Sequence, residues 1–130
     1  MTRGLLLFAH GARDARWARP FDDVAARVRA AAPGVAVELA YLEFMAPGLA
    51  EAGARLAAAG CVEVTVLPLF LGAGGHVRKD VPGLFEQLQR THPGTRWTLA
   101  PSIGEAETLL QAMAQVALER LAAPPGEAME

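Results

Sequence analysis

His10 and His76 are two of the three histidines in the 130-residue chain, and each stands among glycines and charged residues. The first lies in Phe8-Ala9-His10-Gly11-Ala12-Arg13-Asp14, the second in Leu71-Gly72-Ala73-Gly74-Gly75-His76-Val77-Arg78-Lys79-Asp80. A third segment, Tyr41-Leu42-Glu43-Phe44-Met45-Ala46-Pro47, carries the carboxylate of Glu43. Two neutral imidazoles and a carboxylate make a ligand set for a divalent first-row metal such as cobalt, iron or nickel. Imidazoles also serve as general bases near neutral pH. Each group has a plainer reading too: a hydrogen-bonded loop histidine, or a surface or capping carboxylate. His92, in Thr91-His92-Pro93, reads as a solvated loop residue at the opposite end of the molecule.

Gly72, Gly74 and Gly75 read either as a tight turn or as a backbone cradle. Their spacing fits neither a dinucleotide fingerprint nor a P-loop, since no G-K-[ST] follows. A segment so free of side chains still lets backbone amides approach a flat or anionic ligand. Arg13, Arg16, Arg78 and Lys79 cluster by sequence around the two histidines. They form either a binding rim for carboxylates or a solvated charged edge.

Alternating strands and helices must position these groups. Leu5 to Ala9 is a continuous apolar run, as in a strand covered on both faces. Trp17 to Ala32 has helical spacing and stops at Pro33-Gly34; Val35 to Leu42 is a second strand. Pro47 suits the first turn of a helix with Leu49, Gly53 and Leu56 on one face, ended near Gly60. Val62 to Leu67 is a third strand that loosens at Pro68. Asp80 is placed to cap a helix from Val81 to about Arg90, with Pro82 in its first turn. Trp97 to Ala100 is a fourth strand. A helix from about Glu105 to Leu121 follows, with Leu109, Leu110, Met113, Val116, Ala117 and Leu121 on one stripe.

This alternation implies β-α-β units, a parallel four-stranded sheet and helices on both faces. Residues 1–122 form one α/β domain and 123–130 a flexible tail. With strand order 2-1-3-4, His10 and His76 would face each other at the switch point where ligands bind, and Glu43 would approach from the other side of His10.

Composition narrows the function classes. Twelve basic against 14 acidic residues, for a net charge of −2, give no reason to expect a nucleic-acid binder. One cysteine, Cys61, excludes an intramolecular disulfide framework and any multi-cysteine metal site. The apolar runs are far below the roughly 18 residues of a membrane span. No signal-peptide core precedes His10. The expectation is a soluble, cytoplasmic protein with a hydrophobic fraction of 52%, ample for a core.

Together these residues resemble the small sirohydrochlorin chelatase family, CbiX-like class II chelatases that insert cobalt or iron into a tetrapyrrole. The match runs from about Gly4 to Met113 and rests on three blocks. These are His10-Gly11-x-Arg13-Asp14, Tyr41-Leu42-Glu43 with Pro47 after it, and Pro68-Leu69-Phe70-Leu71 leading into Gly75-His76-Val77 and Asp80-Val81-Pro82. The resemblance implies a chelatase-like (flavodoxin-like) three-layer sandwich, with His10 and His76 as metal-binding and catalytic residues. Glu43 assists, and the segment Leu71, Gly72, Ala73, Gly74, Gly75, His76 borders the macrocycle. Arg13 is expected at its carboxylates. Relatives often have a serine where this chain has Ala12, and no histidine-rich segment is present.

The implied function is metal insertion into sirohydrochlorin in cobalamin or siroheme biosynthesis, with no permanently bound cofactor. Co²⁺ or Fe²⁺ is the substrate metal, and Ni²⁺ is chemically admissible. Because the family also occurs as long chains containing two such halves, this short chain is expected to form a homodimer. Two rivals use the same residues. A metal or tetrapyrrole carrier would differ by lacking turnover. A histidine phosphatase would need an arginine before His10-Gly11, where Ala9 stands.

Overall fold

Leu6, Leu7 and Phe8 are fully buried because the first strand lies inside the sheet, between two neighbours and between two layers of helix. Each such side chain contributes about 1.5–3 kcal/mol of burial free energy. The computed structural model describes residues 2–72 and 74–123, and residues 75–78 as backbone. The elements are β1 (Thr2–Ala9), α1 (Arg19–Ala31) preceded by a 3-10 turn at Ala15–Ala18, β2 (Val35–Tyr41), α2 (Leu49–Ala58), β3 (Cys61–Pro68), α3 (Gly75–Thr91), β4 (Arg96–Leu99) and α4 (Glu107–Ala122). A second 3-10 turn, Ile103–Glu105, precedes α4. The expected tail beyond Ala123 lies outside the described residues.

The sheet is parallel with order β2-β1-β3-β4, as the sequence predicts. Alternation along β1 divides the core. Leu6 and Phe8 join Ala40, Val64, Val66, Leu56, Val81, Leu88 and Trp97 under α2 and α3. Leu7 and Ala9 join Val37, Leu39 and Tyr41 under α1. Register brings Ala9 level with Tyr41 and Phe8 level with Pro68, so β1, β2 and β3 end together. No helix among the described residues is long and apolar enough to cross a membrane.

Three expectations are corrected. Pro47 precedes α2 instead of sitting in its first turn; Gly48 is the N-cap. The Pro47 carbonyl accepts the Tyr41 amide at 2.9 Å, which ties this residue to the end of β2. The third helix begins at Gly75, so Asp80 lies within it rather than at its cap, and Pro82 is interior. Proline cannot give the hydrogen bond to the carbonyl four residues back. Buried Val81 and Leu88 hold the helix on the core on both sides of that gap. The third correction concerns α4, where Leu109 is partly buried but most of the apolar stripe is not covered: Leu110 and Met113 are about half exposed, Leu118 61% and Leu121 81%. Its closest packing is with the 3-10 turn just before it.

Candidate functional site

The loops leaving β1 and β2 continue to pair after the strands end. Leu42 gives its amide to the Ala9 carbonyl at 2.9 Å, and Glu43 gives its amide to the His10 carbonyl at 3.0 Å. Gly11, with φ +100°, makes this approach possible, since a Cβ there would collide with the Glu43 carbonyl oxygen. His10 and Glu43 are therefore held side by side, with Nε2 and Oε2 3.4 Å apart. Their side chains are 42% and 38% exposed, so the pair is open to a ligand.

The other flank of His10 is apolar. Leu69 gives its amide to the Phe8 carbonyl at 2.8 Å, carrying the end of β3 alongside β1. Buried Phe70 follows, edge-on to Phe8 with centroids 5.8 Å apart and to His10 with centroids 6.5 Å apart. His10 thus has a carboxylate on one side and an aromatic edge on the other. The unprotonated imidazole can accept a proton or hold a cation, and the carboxylate can take a proton from it or share the cation.

The remaining expected residues divide by place. Leu71 and Gly72 are exposed at the start of the β3–α3 connection, and Gly74 is its last residue. Ala73 lies outside the described residues. Gly75 and His76 occupy the first turn of α3, not a loop as the sequence suggested. The His76 side chain is outside the described set. Its backbone position is three and four residues before Lys79 and Asp80, on the same helical face. Those two residues line an open groove of about 510 Å³ with Leu42, Glu43, Gly83 and Leu84. The fold therefore sets Lys79 and Asp80, in the second turn of α3, across a groove from Glu43. Among the described residues, no three His, Cys, Asp or Glu side chains form a metal cluster.

Arg13 is exposed and lies over the ring of Phe44, 4.8 Å from its centroid. Phe44 has φ +68°, a conformation that costs a non-glycine residue about 1–3 kcal/mol. Asp14 is structural: it accepts the Arg16 amide at 2.9 Å and caps the first 3-10 turn. The Arg16 side chain beside it holds the Asp14 carboxyl below its usual range, with the Arg16 amide adding to this. Arg16 is therefore engaged by Asp14 rather than placed on a free rim. Burial pushes the Cys61 thiol up, at the far end of β3 from the site, so no thiolate enters the chemistry. Burial likewise pushes the Tyr41 phenol up, with Asp22 contributing. His92 is half-buried beside Trp97, whose indole N–H it accepts through its carbonyl at 3.1 Å, and stands away from the site.

Sequence reasoning missed Phe44, Asp80 and Gly104. Phe44 looked like one more apolar residue, and only its positive φ and exposure distinguish it. Asp80 resembled a cap. Gly104 gives its amide to the Phe70 carbonyl at 3.0 Å, and a Cβ there would collide with the Leu71 carbonyl oxygen.

The model of the CbiX family matches residues 4–120, nearly the whole chain. The chain belongs to the CbiX family. It is 30% identical over 108 residues to the sirohydrochlorin cobaltochelatase of Sulfurisphaera tokodaii, spanning 83% of this chain and 85% of that protein. It is 31% identical over 101 residues to the sirohydrochlorin cobaltochelatase of Sulfolobus acidocaldarius, spanning 78% of each. Among solved structures, a CbiX protein from Marinobacter aquaeolei VT8 superposes with a TM-score of 0.79 at 38% identity, covering 92% of this chain and 97% of that one. The fold is also that of SirB from Bacillus subtilis with Fe³⁺, with a TM-score of 0.79 at 20% identity. There 95% of this CbiX chain covers 49% of SirB, so the chain spans about half of that longer protein.

Proposed function

We propose that this protein is a sirohydrochlorin chelatase, an enzyme that inserts a divalent metal ion into a tetrapyrrole. The observation that carries the reading is the open His10–Glu43 pair, at the carboxyl end of β1 and beside the exit of β3. Sirohydrochlorin cobaltochelatase is the name of the Sulfurisphaera and Sulfolobus relatives. Cobalt and iron appear in the SirB structures. The metal is a substrate, and nothing in the chemistry requires a resident cofactor.

Insertion strips water from the ion and removes two pyrrole N–H protons as the metal–nitrogen bonds form. His10 and His76 hold the incoming ion loosely through imidazole nitrogen. As the ion leaves imidazole for the ring nitrogens, His10 takes the two pyrrole protons one after the other and passes each to Glu43, whose carboxylate releases it to solvent. A donor set this sparse suits an ion in transit. Co²⁺ and Fe²⁺ are the metals of choice; Ni²⁺ fits the same ligands. Leu71 to Gly75 borders the macrocycle, and Arg13 meets one of its carboxylates.

The working unit is a homodimer in the cytoplasm. Two observations support the pairing. The apolar residues of α4 are exposed. The chain also matches only about half of SirB, which shares its fold. The second copy covers α4 and completes the enclosure of a large flat substrate.

The test is anaerobic metallation of sirohydrochlorin with Co²⁺ and, separately, Fe²⁺, followed by absorbance. The protein should turn over many equivalents. His10→Ala and His76→Ala should each lower the rate about 100-fold or more without unfolding the chain. A folded double variant that metallates at the parent rate would refute the assignment of the two histidines. Stoichiometric binding without turnover would instead make the protein a carrier.

A further inference from the structure

Among the described residues outside α4, Leu71 at 65% and Phe44 at 55% are the most exposed large apolar side chains. They are not scattered. Phe44 follows Glu43 on the loop after β2, and Leu71 follows Phe70 on the connection after β3, so one stands on each side of His10. Both are fixed from beneath in the same manner. Gly11 closes against the carbonyl of Glu43, the residue before Phe44; Gly104 closes against the carbonyl of Leu71 itself. At each place a side chain on the glycine would push the backbone away.

Phe44 has two features that folding alone does not call for. Its backbone is in the left-handed region, which bulky residues rarely occupy. The strained position also presents an aromatic face to solvent, with the Arg13 guanidinium stacked over it. Among the described residues no carboxylate pairs with Arg13, so its N–H donors are available to a ligand. An apolar ring beside a guanidinium matches a ligand that has a flat conjugated face and anionic groups at its edge.

We propose that Phe44 is a specificity-determining contact for the macrocycle. Its ring, with Leu71 across the site, bears the apolar face of the tetrapyrrole, while Arg13 takes a carboxylate at the edge of the same ring system. This rests on the chelatase reading above and adds the residue that recognises the ring as distinct from the metal. Phe44 would govern substrate affinity and leave the affinity for the ion to the histidines and Glu43.

The experiment titrates metal-free sirohydrochlorin into the protein and, in parallel, Co²⁺ alone, with thermal melting of each variant. Phe44→Ala should weaken tetrapyrrole binding about 3- to 10-fold and leave Co²⁺ binding unchanged. Phe44→Tyr should restore it. Phe44→Gly is the decisive variant, because glycine accepts φ +68° without strain: its melting temperature should hold or rise while tetrapyrrole affinity falls. Arg13→Gln should weaken binding and flatten its dependence on salt. Parent-like sirohydrochlorin affinity in Phe44→Gly would overturn the inference and leave the chelatase reading standing. Equal loss of tetrapyrrole and Co²⁺ binding, or of stability, would overturn it in favour of a structural role. No sirohydrochlorin binding by the parent protein would remove both.

Discussion

The two halves of the sheet are finished differently. Around β1 and β2 both faces are covered: Leu7, Val37 and Leu39 lie under α1, and Leu6, Phe8 and Ala40 lie under α2. Around β3 and β4 one face is covered, by α2 and α3, with Val64, Val66 and Trp97 buried beneath them. On the other face Glu63, Thr65, Arg96 and Thr98 are exposed. The helix available to that half, α4, buries none of its residues. Yet α2 and α4 are both rich in alanine and leucine, and α2 buries Leu49, Ala52, Gly53 and Leu56. An apolar helix is therefore not by itself a core helix; what matters is whether its own chain offers it a face. The tightly built half carries His10 and Glu43, and the open half leaves apolar side chains of α4 exposed.

The largest expected effect tests this contrast at α2. Leu56 is 1% exposed, so Leu56→Ala should cost about 2–5 kcal/mol of unfolding free energy, by the same amount at any protein concentration. Leu118→Ala in α4 removes a side chain that is 61% exposed and should change the stability of dilute protein by less than about 0.5 kcal/mol. Urea titrations at low protein concentration measure both. A large loss from Leu118→Ala in the dilute monomer would mean that α4 is packed by its own chain after all.

A smaller and concentration-dependent effect follows from the exposed stripe. Leu110→Glu with Met113→Glu places two charges on α4 where an apolar partner would sit. The parent's melting temperature should rise with protein concentration, whereas the variant should sediment as a monomer with a melting temperature independent of concentration. Identical sedimentation of variant and parent as dimers would move the interface away from these residues.

Much of this organisation was legible in the sequence. The apolar run of β1 and the helical spacings fix element types, right-handed crossovers of β-α-β units imply a parallel sheet, and the expected strand order 2-1-3-4 is the one observed. The meeting of His10 with Glu43 followed from that order. The alternation Val62-Glu63-Val64-Thr65-Val66 also marks β3 as a strand with one wet face, although the expectation was of helices on both. What was not legible depends on contacts distant in sequence. The start of α3 at Gly75 is stabilised by packing of Val81 and Leu88 against the sheet, which overrides the local signals of Asp80 and Pro82. Pro47 has the right residue type for a helix start, but its carbonyl is taken by Tyr41. The left-handed backbone of Phe44 has no residue-type signal, because glycine or asparagine would be expected there.

The smallest effect lies at the entrance to the tightly built half, where Asp14 caps the turn before α1. Its carboxyl is held below the ordinary value by the Arg16 side chain first and the Arg16 amide second, with desolvation opposing weakly. A carboxyl with a lowered folded pKa binds fewer protons in the native state than in the unfolded chain as pH falls past the unfolded value. Its stabilising contribution is therefore complete above the ordinary carboxylate pKa of about 4 and disappears as pH drops through the folded value. Asp14→Ala should lower the melting temperature slightly at pH 7, and the difference from the parent should shrink to the loss of the neutral cap at strongly acid pH. Because the group is exposed, added salt should shrink the pH 7 difference as well. Melting curves at neutral and acid pH, each at low and high salt, measure this. A difference that grew on acidification would mean that Asp14 stabilises the turn in its protonated form, and that the Arg16 pair does not hold the turn together.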